Sequence, residues 1–217
     1  MSDKIFQIAI DGPSGAGKST IAKAVAKKLG IEYIDTGAMY RAIGLKMLRL
    51  GLPMKEDEAL AEMLDSTDID FVSERIYLDG EDVSDQIRTQ EISKAASDCS
   101  AFGSVRRKLV ALQQNMAGKK SIIMDGRDIG TVVLKDAPYK FYLTAGDEER
   151  ARRRHVELEA KGEHLTFEQV LAQIRERDHN DMTREITPLR KADDAEEIDS
   201  TNMSIDEVTD YICSRIK

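Results

Sequence analysis

The chain has little of what most specialised protein classes depend on. Its two cysteines, Cys99 and Cys213, lie far apart and make neither a disulfide framework nor a metal pattern, so both are expected to be reduced and structural. His155, His164 and His179 lack metal spacing and read as surface residues. No apolar run approaches membrane length. The first one, residues 5–10, is also too short for a secretory signal and stops at once at Asp11 and a glycine-rich loop, so a cytoplasmic protein is expected. A basic excess is missing: 32 Lys and Arg stand against 40 Asp and Glu, a net charge of −8, which argues against a protein that coats nucleic acid. Internal repeats, low-complexity tracts, long linkers and an N-K-x-D guanine signature are absent as well.

What is present fits a soluble α/β protein. The 217 residues are 41% hydrophobic and 33% charged, enough for one main domain with insertions and a full core. Residues 5–20 read I-F-Q-I-A-I-D-G-P-S-G-A-G-K-S-T: an apolar run, a glycine-rich turn and then a helix-favouring segment, with Gly12, Gly17, Lys18 and Ser19 filling the pattern G-x-x-x-x-G-K-[ST]. Glycines at 12, 15 and 17 permit positive φ and close approach of loop amides to a triphosphate, while the following helix offers free N–H groups and a positive dipole end. Gly12, Pro13, Ser14, Gly15, Ala16, Gly17, Lys18, Ser19 and Thr20 are therefore the expected ATP cradle. Lys18 reaches the β- and γ-phosphates, and the Ser19 hydroxyl is placed for Mg²⁺.

The rest of the chain supplies further candidates. The spacing predicts a strand at 31–34 and a helix from Thr36, as N-cap, to about residue 50, a second anion site with Tyr40 and Arg41 one turn on. Short strands at 69–72 and 76–78, with Asp79-Gly80 as a turn signal after them, break the helix and strand alternation and suggest an inserted subdomain. Helices are expected at 89–99 and 103–117, where Ser97 and Arg106 are polar candidates. A strand at 121–125 leads into Gly126-Arg127-Asp128-Ile129-Gly130-Thr131, where open α/β sheets place ligands. Either Asp125 or Asp11 is available to assist Mg²⁺.

After a strand at 140–143, the run from Asp147 to His155 carries Arg150, Arg152, Arg153 and Arg154 on a helix, with Glu148–Arg152 and Glu149–Arg153 as i,i+4 pairs. The run reads either as a solvated face or as an arginine-bearing lid over the triphosphate. A long helix from Thr166 projects Arg177, Asp181 and Arg184 from one face, a grouping that can grip a phosphate and a sugar hydroxyl. A last strand at 198–201 and a helix at 204–216 close the chain.

Taken together, G-P-S-G-A-G-K-S at 12–19, D-T-G-A-M-Y-R at 35–41, I-R-T-Q-E at 87–91, G-R-D-I-G-T at 126–131 and R-E-R-D at 175–178 resemble the bacterial cytidylate kinase family over essentially the whole chain. The glycine loop alone specifies only a P-loop protein, whereas D-T-G-x-x-Y-R with G-R-D-x-G-T is specific to this branch. The resemblance implies an α/β P-loop nucleoside monophosphate kinase fold, a five-stranded parallel sheet flanked by helices. It implies a single domain over 1–217, with a core at about 1–61, 100–146 and 165–217, a monophosphate-binding insert at about 62–99 and a lid at about 147–164. The implied reaction is ATP plus CMP or dCMP giving ADP plus CDP or dCDP, with Mg²⁺, by a monomer without nucleic-acid or membrane partners.

Carried over by position, Arg41, Arg127 and Arg184 are expected at the CMP phosphate, Ser97, Arg106 and Asp128 at the cytosine, and Arg177 and Asp181 at the pentose. Thr36 stands where relatives commonly have serine and keeps the hydroxyl, with Tyr40 in the same motif. Lys18, Arg127, Arg184 and the lid's Arg150 and Arg154 are expected to neutralise charge on the moving phosphoryl group. Cytosine offers a donor at N4 and acceptors at N3 and O2, which Asp128, Arg106 and Ser97 complement. The competing readings are another small-molecule P-loop kinase, acting on a different nucleotide or on a metabolite such as shikimate, and a nucleotide-dependent switch.

Overall fold

A computed structural model describes residues 5–72, 74–160 and 162–216 of the chain. The chain begins with β1 (Gln7–Asp11), α1 (Lys18–Leu29) and β2 (Glu32–Asp35). It continues through α2 (Thr36–Arg49), α3 (Glu58–Asp65), β3 (Ile69–Val72), β4 (Arg75–Leu78), β5 (Glu81–Asp82), α4 (Gln90–Cys99) and α5 (Gly103–Ala117). It ends with β6 (Ile122–Gly126), β7 (Tyr139–Thr144), α6 (Asp147–Ala160), α7 (Phe167–Thr183), β8 (Glu196–Asp199) and α8 (Ile205–Arg215). Two compact units result: the residues before Ile34 together with those after Lys119, and Ile34–Lys119.

The expected five-stranded parallel sheet is present, in the order β2-β6-β1-β7-β8. Strand β1 is central, and Ile8, Ala9 and Ile10 are fully buried, because a parallel strand covered on both faces reads as an unbroken apolar run. Its last residue pairs with Gly126 of β6 and with Tyr142 of β7, so the loops that follow β1 and β6 open side by side at the carboxyl ends of the strands. Helix α1 buries Ile21, Ala22, Val25 and Ala26 in a core shared with Val208 and Ile212 of α8 and with Phe141 and Leu143 of β7. Gly30 ends α1 at φ 66, a left-handed C-cap that glycine adopts without a Cβ penalty.

Helices α6 and α7 share a smaller core of Ala151, Leu158, Val170 and Ile174. A capping box starts α7, with the Thr166 hydroxyl accepting from the Gln169 N–H and the Gln169 side chain accepting from the Thr166 N–H. Of the two i,i+4 pairs expected on α6, Glu149–Arg153 forms, and Arg152 takes Glu149 in place of Glu148. Arg152 and Arg153 both pair with Glu149, and Arg154 pairs with Glu157 at 2.8 Å. Arg153 also reaches the Ser200 carbonyl at 2.7 Å, and the single Glu149 carboxylate serves both arginines.

In the unit Ile34–Lys119, β3, β4 and β5 form a separate antiparallel sheet. Asp79 and Gly80 turn the chain at φ 50 and φ 83, the conformations that suit an Asp-Gly pair in a tight hairpin. Gly44 lets α2 approach α4, since a side chain there would begin 3.0 Å from the Ala96 amide nitrogen. Helix α5 has no cap of its own. The Glu56 carboxylate instead accepts from the amides of Gly103 and Ser104, at 3.2 and 2.7 Å.

Candidate active site

The loop after β1 is shaped to receive an anion. Helix α1 starts at Gly17 with φ 86, with no side-chain cap bond and no acidic residue in its first turn, so the amides of that turn keep their capacity for an outside acceptor. Gly12 is required by packing as well as by its φ of 152: a Cβ there would stand 2.0 Å from the Leu143 carbonyl oxygen of β7. Lys18 is buried and its Nζ donates to the Pro13 carbonyl at 2.7 Å, folding the side chain back over its own loop. Burial, followed by the nearby Arg127 charge, pushes the Lys18 ammonium down to about 7, against the pull of Asp125 and Asp181. A phosphate arriving beside it would restore the charged form.

Of the two aspartates considered for Mg²⁺, Asp125 is the one beside Ser19. The Ser19 hydroxyl donates to Asp125 Oδ2 at 2.9 Å, and the Tyr33 hydroxyl donates to Oδ1 at 2.7 Å. A hydroxyl and a carboxylate oxygen side by side suit Mg²⁺, which takes one or two protein oxygens and completes its shell with phosphates and water. Asp11 is committed elsewhere: its two oxygens accept from the amides of Ile129 and Gly130, at 2.8 and 2.7 Å. Burial pushes its carboxyl up to about 6 although those amides favour the charged form. Asp11 thus ties the turn after β6 to the end of β1.

That turn brings Arg127 and Asp128 against the end of α7. Arg127 Nε donates to Asp181 Oδ2 at 2.7 Å, and Arg184 Nη1 lies 3.7 Å from the other Asp181 oxygen and its Nη2 4.0 Å from Asp128 Oδ1. Burial pushes the Asp181 carboxyl up, but Arg127, Arg177 and Arg184 outweigh it and hold the group below the usual carboxylate range. Asp128 and Asp181 are buried, and Arg127 feels the charges of Asp178 and Asp125 as well as that of Asp181. Arg127, Asp128, Arg177, Asp181 and Arg184, chosen from separate stretches of sequence, are brought together here.

Thr36, Tyr40, Arg41, Ser97 and Arg106 lie in the unit Ile34–Lys119. Here one expectation is corrected: the N-cap of α2 is Asp35, not Thr36. Strand β2 runs one residue further than expected, through Asp35, which leaves Thr36 as the first helical residue and buried. The Asp35 carboxylate accepts from the Ala38 amide at 2.8 Å and from Arg41 at 2.9 Å, so this helix start carries its own anion. Arg106 is buried, with its guanidinium 5.6 Å from the centre of the Tyr40 ring and donating to the Ser100 carbonyl at 3.1 Å. Ser97, on α4, is half-buried, and its carbonyl accepts from the Ser100 hydroxyl at 2.7 Å.

The two lid arginines differ in kind. Arg154 lies on the outer side of α6 with Glu157, whereas Arg150 is buried and donates to the Ala145 and Ser14 carbonyls at 2.9 and 2.8 Å. Its other partner, Asp178, was not among the expected site residues although it closes the R-E-R-D motif. The signal available was its spacing: Asp178 falls four residues after Ile174 and three before Asp181, on the buried face of α7.

Residues 8–217 match the family model described as cytidylate kinase. A cytidylate kinase of Caldicellulosiruptor saccharolyticus is 56% identical over 209 residues, covering 94% of this chain and 92% of that one. One from Clostridium acetobutylicum is 52% identical over 211 residues and covers 97% of each chain. Among solved structures, a shikimate kinase from Acinetobacter baumannii in complex with shikimate aligns over 99% of this chain and 94% of its own, with 15% identity and a TM-score of 0.51. Likeness at that identity shows the shared fold alone.

Proposed function

The chain belongs to the cytidylate kinase family, and from that premise we propose that it transfers the γ-phosphoryl group of ATP to CMP or dCMP, giving ADP and CDP or dCDP. The observation that carries the reading is the register Asp11↔Gly126, which sets an anion-receiving glycine loop next to a turn bearing Arg127 and Asp128. A phosphoryl donor and a phosphoryl acceptor need two such neighbouring places.

The chain's own residues account for the chemistry. An oxygen of the CMP phosphate attacks the γ-phosphorus, the bond to the β,γ-bridging oxygen breaks, and ADP departs with that oxygen. The attacking oxygen is already anionic, so no general base is required. Catalysis is alignment and charge neutralisation. Lys18 exchanges the Pro13 carbonyl for phosphate oxygens, and the amides of the first turn of α1 take up the rest of the triphosphate. Arg127 and Arg184 are proposed for the CMP phosphate together with Arg41, whose present partner Asp35 it would have to share or leave. Asp128 is proposed for the cytosine N4 amino group, Arg106 and Ser97 for the base, Arg177 and Asp181 for the pentose, and Thr36 and Tyr40 as supports of the same substrate. Mg²⁺, held through Ser19 and Asp125, would neutralise charge on the β- and γ-phosphates.

Residues 147–164 are proposed as a lid that excludes water from the transfer, with Arg154 the member free to leave its surface partner for the phosphoryl group. The residues 62–99 are proposed as the insert that receives the monophosphate. Among the described residues no helix is long and apolar enough to cross a membrane, and a cytoplasmic monomer is proposed.

A panel of acceptors tests the reading: ATP with CMP, dCMP, UMP, AMP, GMP and shikimate, with coupled detection of ADP. CMP and dCMP are expected to dominate. A preference for shikimate or a purine nucleotide would refute it, and ADP release stimulated by no acceptor would point to a nucleotide switch.

A further inference from the structure

One residue of the glycine loop is held on both sides by a buried ion pair. The Ser14 N–H donates to Asp178 Oδ1 at 2.9 Å, and the Ser14 carbonyl accepts from Arg150 Nη1 at 2.8 Å. The same Arg150 nitrogen pairs with the second oxygen of Asp178. Arg150 Nε donates to the Ala145 carbonyl at 2.9 Å, which anchors the guanidinium just past the end of β7. Both side chains are close to fully buried, at 8% and 11% exposure. The neighbouring Gly15 has φ 73, and the Cβ and carbonyl oxygen of Arg150 stand 3.2 Å from where a Gly15 side chain would begin.

A buried ion pair contributes little net stability compared with apolar groups of the same shape, so stability alone is a weak reason for one at this place. The loop supplies a better reason. Gly12, Gly15 and Gly17 all adopt positive φ, and glycines sample many conformations of nearly equal energy. Amides converge on a phosphate at little cost only if one loop conformation is selected beforehand. Ser14 sits between these glycines, and bonds to both its N–H and its C=O restrain the peptide planes on either side of it.

We propose that Asp178 is a positioning residue for the donor nucleotide: through Ser14, and with Arg150, it holds the glycine loop in the conformation that accepts the triphosphate, without touching the nucleotide itself. The proposal rests on the reading that this loop receives ATP. It assigns Arg150 to the loop scaffold rather than to the phosphoryl group. It also joins α7, which carries Arg177 and Asp181, to the loop by a direct bond.

The test is calorimetric titration of the wild type, Asp178→Asn and Asp178→Ala with ATP and Mg²⁺, and separately with CMP, with circular dichroism melting to establish that each variant is folded. The Asp178→Ala chain is expected to bind ATP about tenfold more weakly, equivalent to about 1.4 kcal/mol, while its Kd for CMP moves by less than about twofold. Asp178→Asn keeps an acceptor for the Ser14 N–H but loses the charge that holds Arg150, so it should fall between the two. If the alanine chain does not fold, the isosteric asparagine carries the same comparison. Equal weakening of both ligands, or a lowered melting temperature with unchanged ATP binding, would overturn the proposal. A wild type that bound CMP but not ATP would overturn the reading of the loop, and the proposal with it.

Discussion

The Ser19 hydroxyl donates to Asp125 across 2.9 Å, joining the first turn of α1 to the end of β6. Both groups offer hard oxygens, and the relationship separates two aspartates that look equivalent in the chain. Replacing Asp125 by alanine should raise the Mg²⁺ concentration for half-maximal rate by on the order of ten- to a hundredfold, the range seen when a metal site loses a supporting carboxylate. Asp11→Asn, which leaves one of the Ile129 and Gly130 amides without an acceptor, should lower the melting temperature but shift that concentration much less. Magnesium titrations of the two variants decide the matter, and an equal shift would reverse the assignment.

Lys18 has a pH signature. Its ammonium is pushed down to about 7 from 10.5, first by burial and then by Arg127. Between those two values the unfolded chain binds more protons than the folded one, so the Lys18 contribution to the stability of the unliganded protein rises with pH across that window. If ATP binds beside Lys18 as proposed, it should restore the charge, and binding at pH 8 should take up as much as about one proton at this site. Calorimetry in buffers of different ionisation enthalpy measures the uptake, and Lys18→Ala should abolish it. The same variant should lower kcat by about a hundredfold or more, the scale of a lost preorganised charge. Near-normal turnover would mean the loop does not act on the triphosphate.

Asp128 is buried, with Arg184 4.0 Å away. A carboxylate facing the cytosine N4 amino group accepts from it, whereas uracil would present an oxygen there and leave buried groups unpaired. Asp128→Asn should therefore lower kcat/KM for CMP far more than for UMP. Parallel measurements on the two nucleotides check this, and an unchanged ratio would remove Asp128 from base recognition.

Gly12 and Gly17 should respond differently to alanine. At Gly17 a Cβ meets nothing within 4 Å, so only the φ of 86 is strained, a cost of about 1–2 kcal/mol. At Gly12 the added carbon would fall 2.0 Å from a backbone oxygen of β7, which cannot move aside as a side chain would, and the loss should reach about 3 kcal/mol or more. Denaturant unfolding of the two variants gives the comparison. A larger loss at Gly17 would show that β7 yields.

Features that arise within a few consecutive residues were legible in the chain. The glycine loop needs only the strand before it and the helix after it, Gly30 and Thr166 act on their own turns, and Asp79-Gly80 makes its hairpin from its own φ angles. The N-cap of α2 shows where this stops. Asp35 and Thr36 are both good caps, and the choice fell to Asp35 because β2 extends through it, which sheet pairing settles. The arginines of α6 were harder still, because Glu149, Glu157, Ser200 and Asp178 compete for them and only packing ranks the competitors.

By itself, then, the sequence determined that a glycine-rich P-loop follows a buried strand and pointed to Arg127, Asp128, Arg177, Asp181 and Arg184, which the fold brings together, since residue type and local spacing carry that chemistry. Only the tertiary structure decided which aspartate faces Ser19, which one anchors the turn after β6, and that Asp178 reaches Ser14 across 164 residues of chain. Those partnerships depend on strand order and register, which the net of all long-range packing selects and no local pattern encodes.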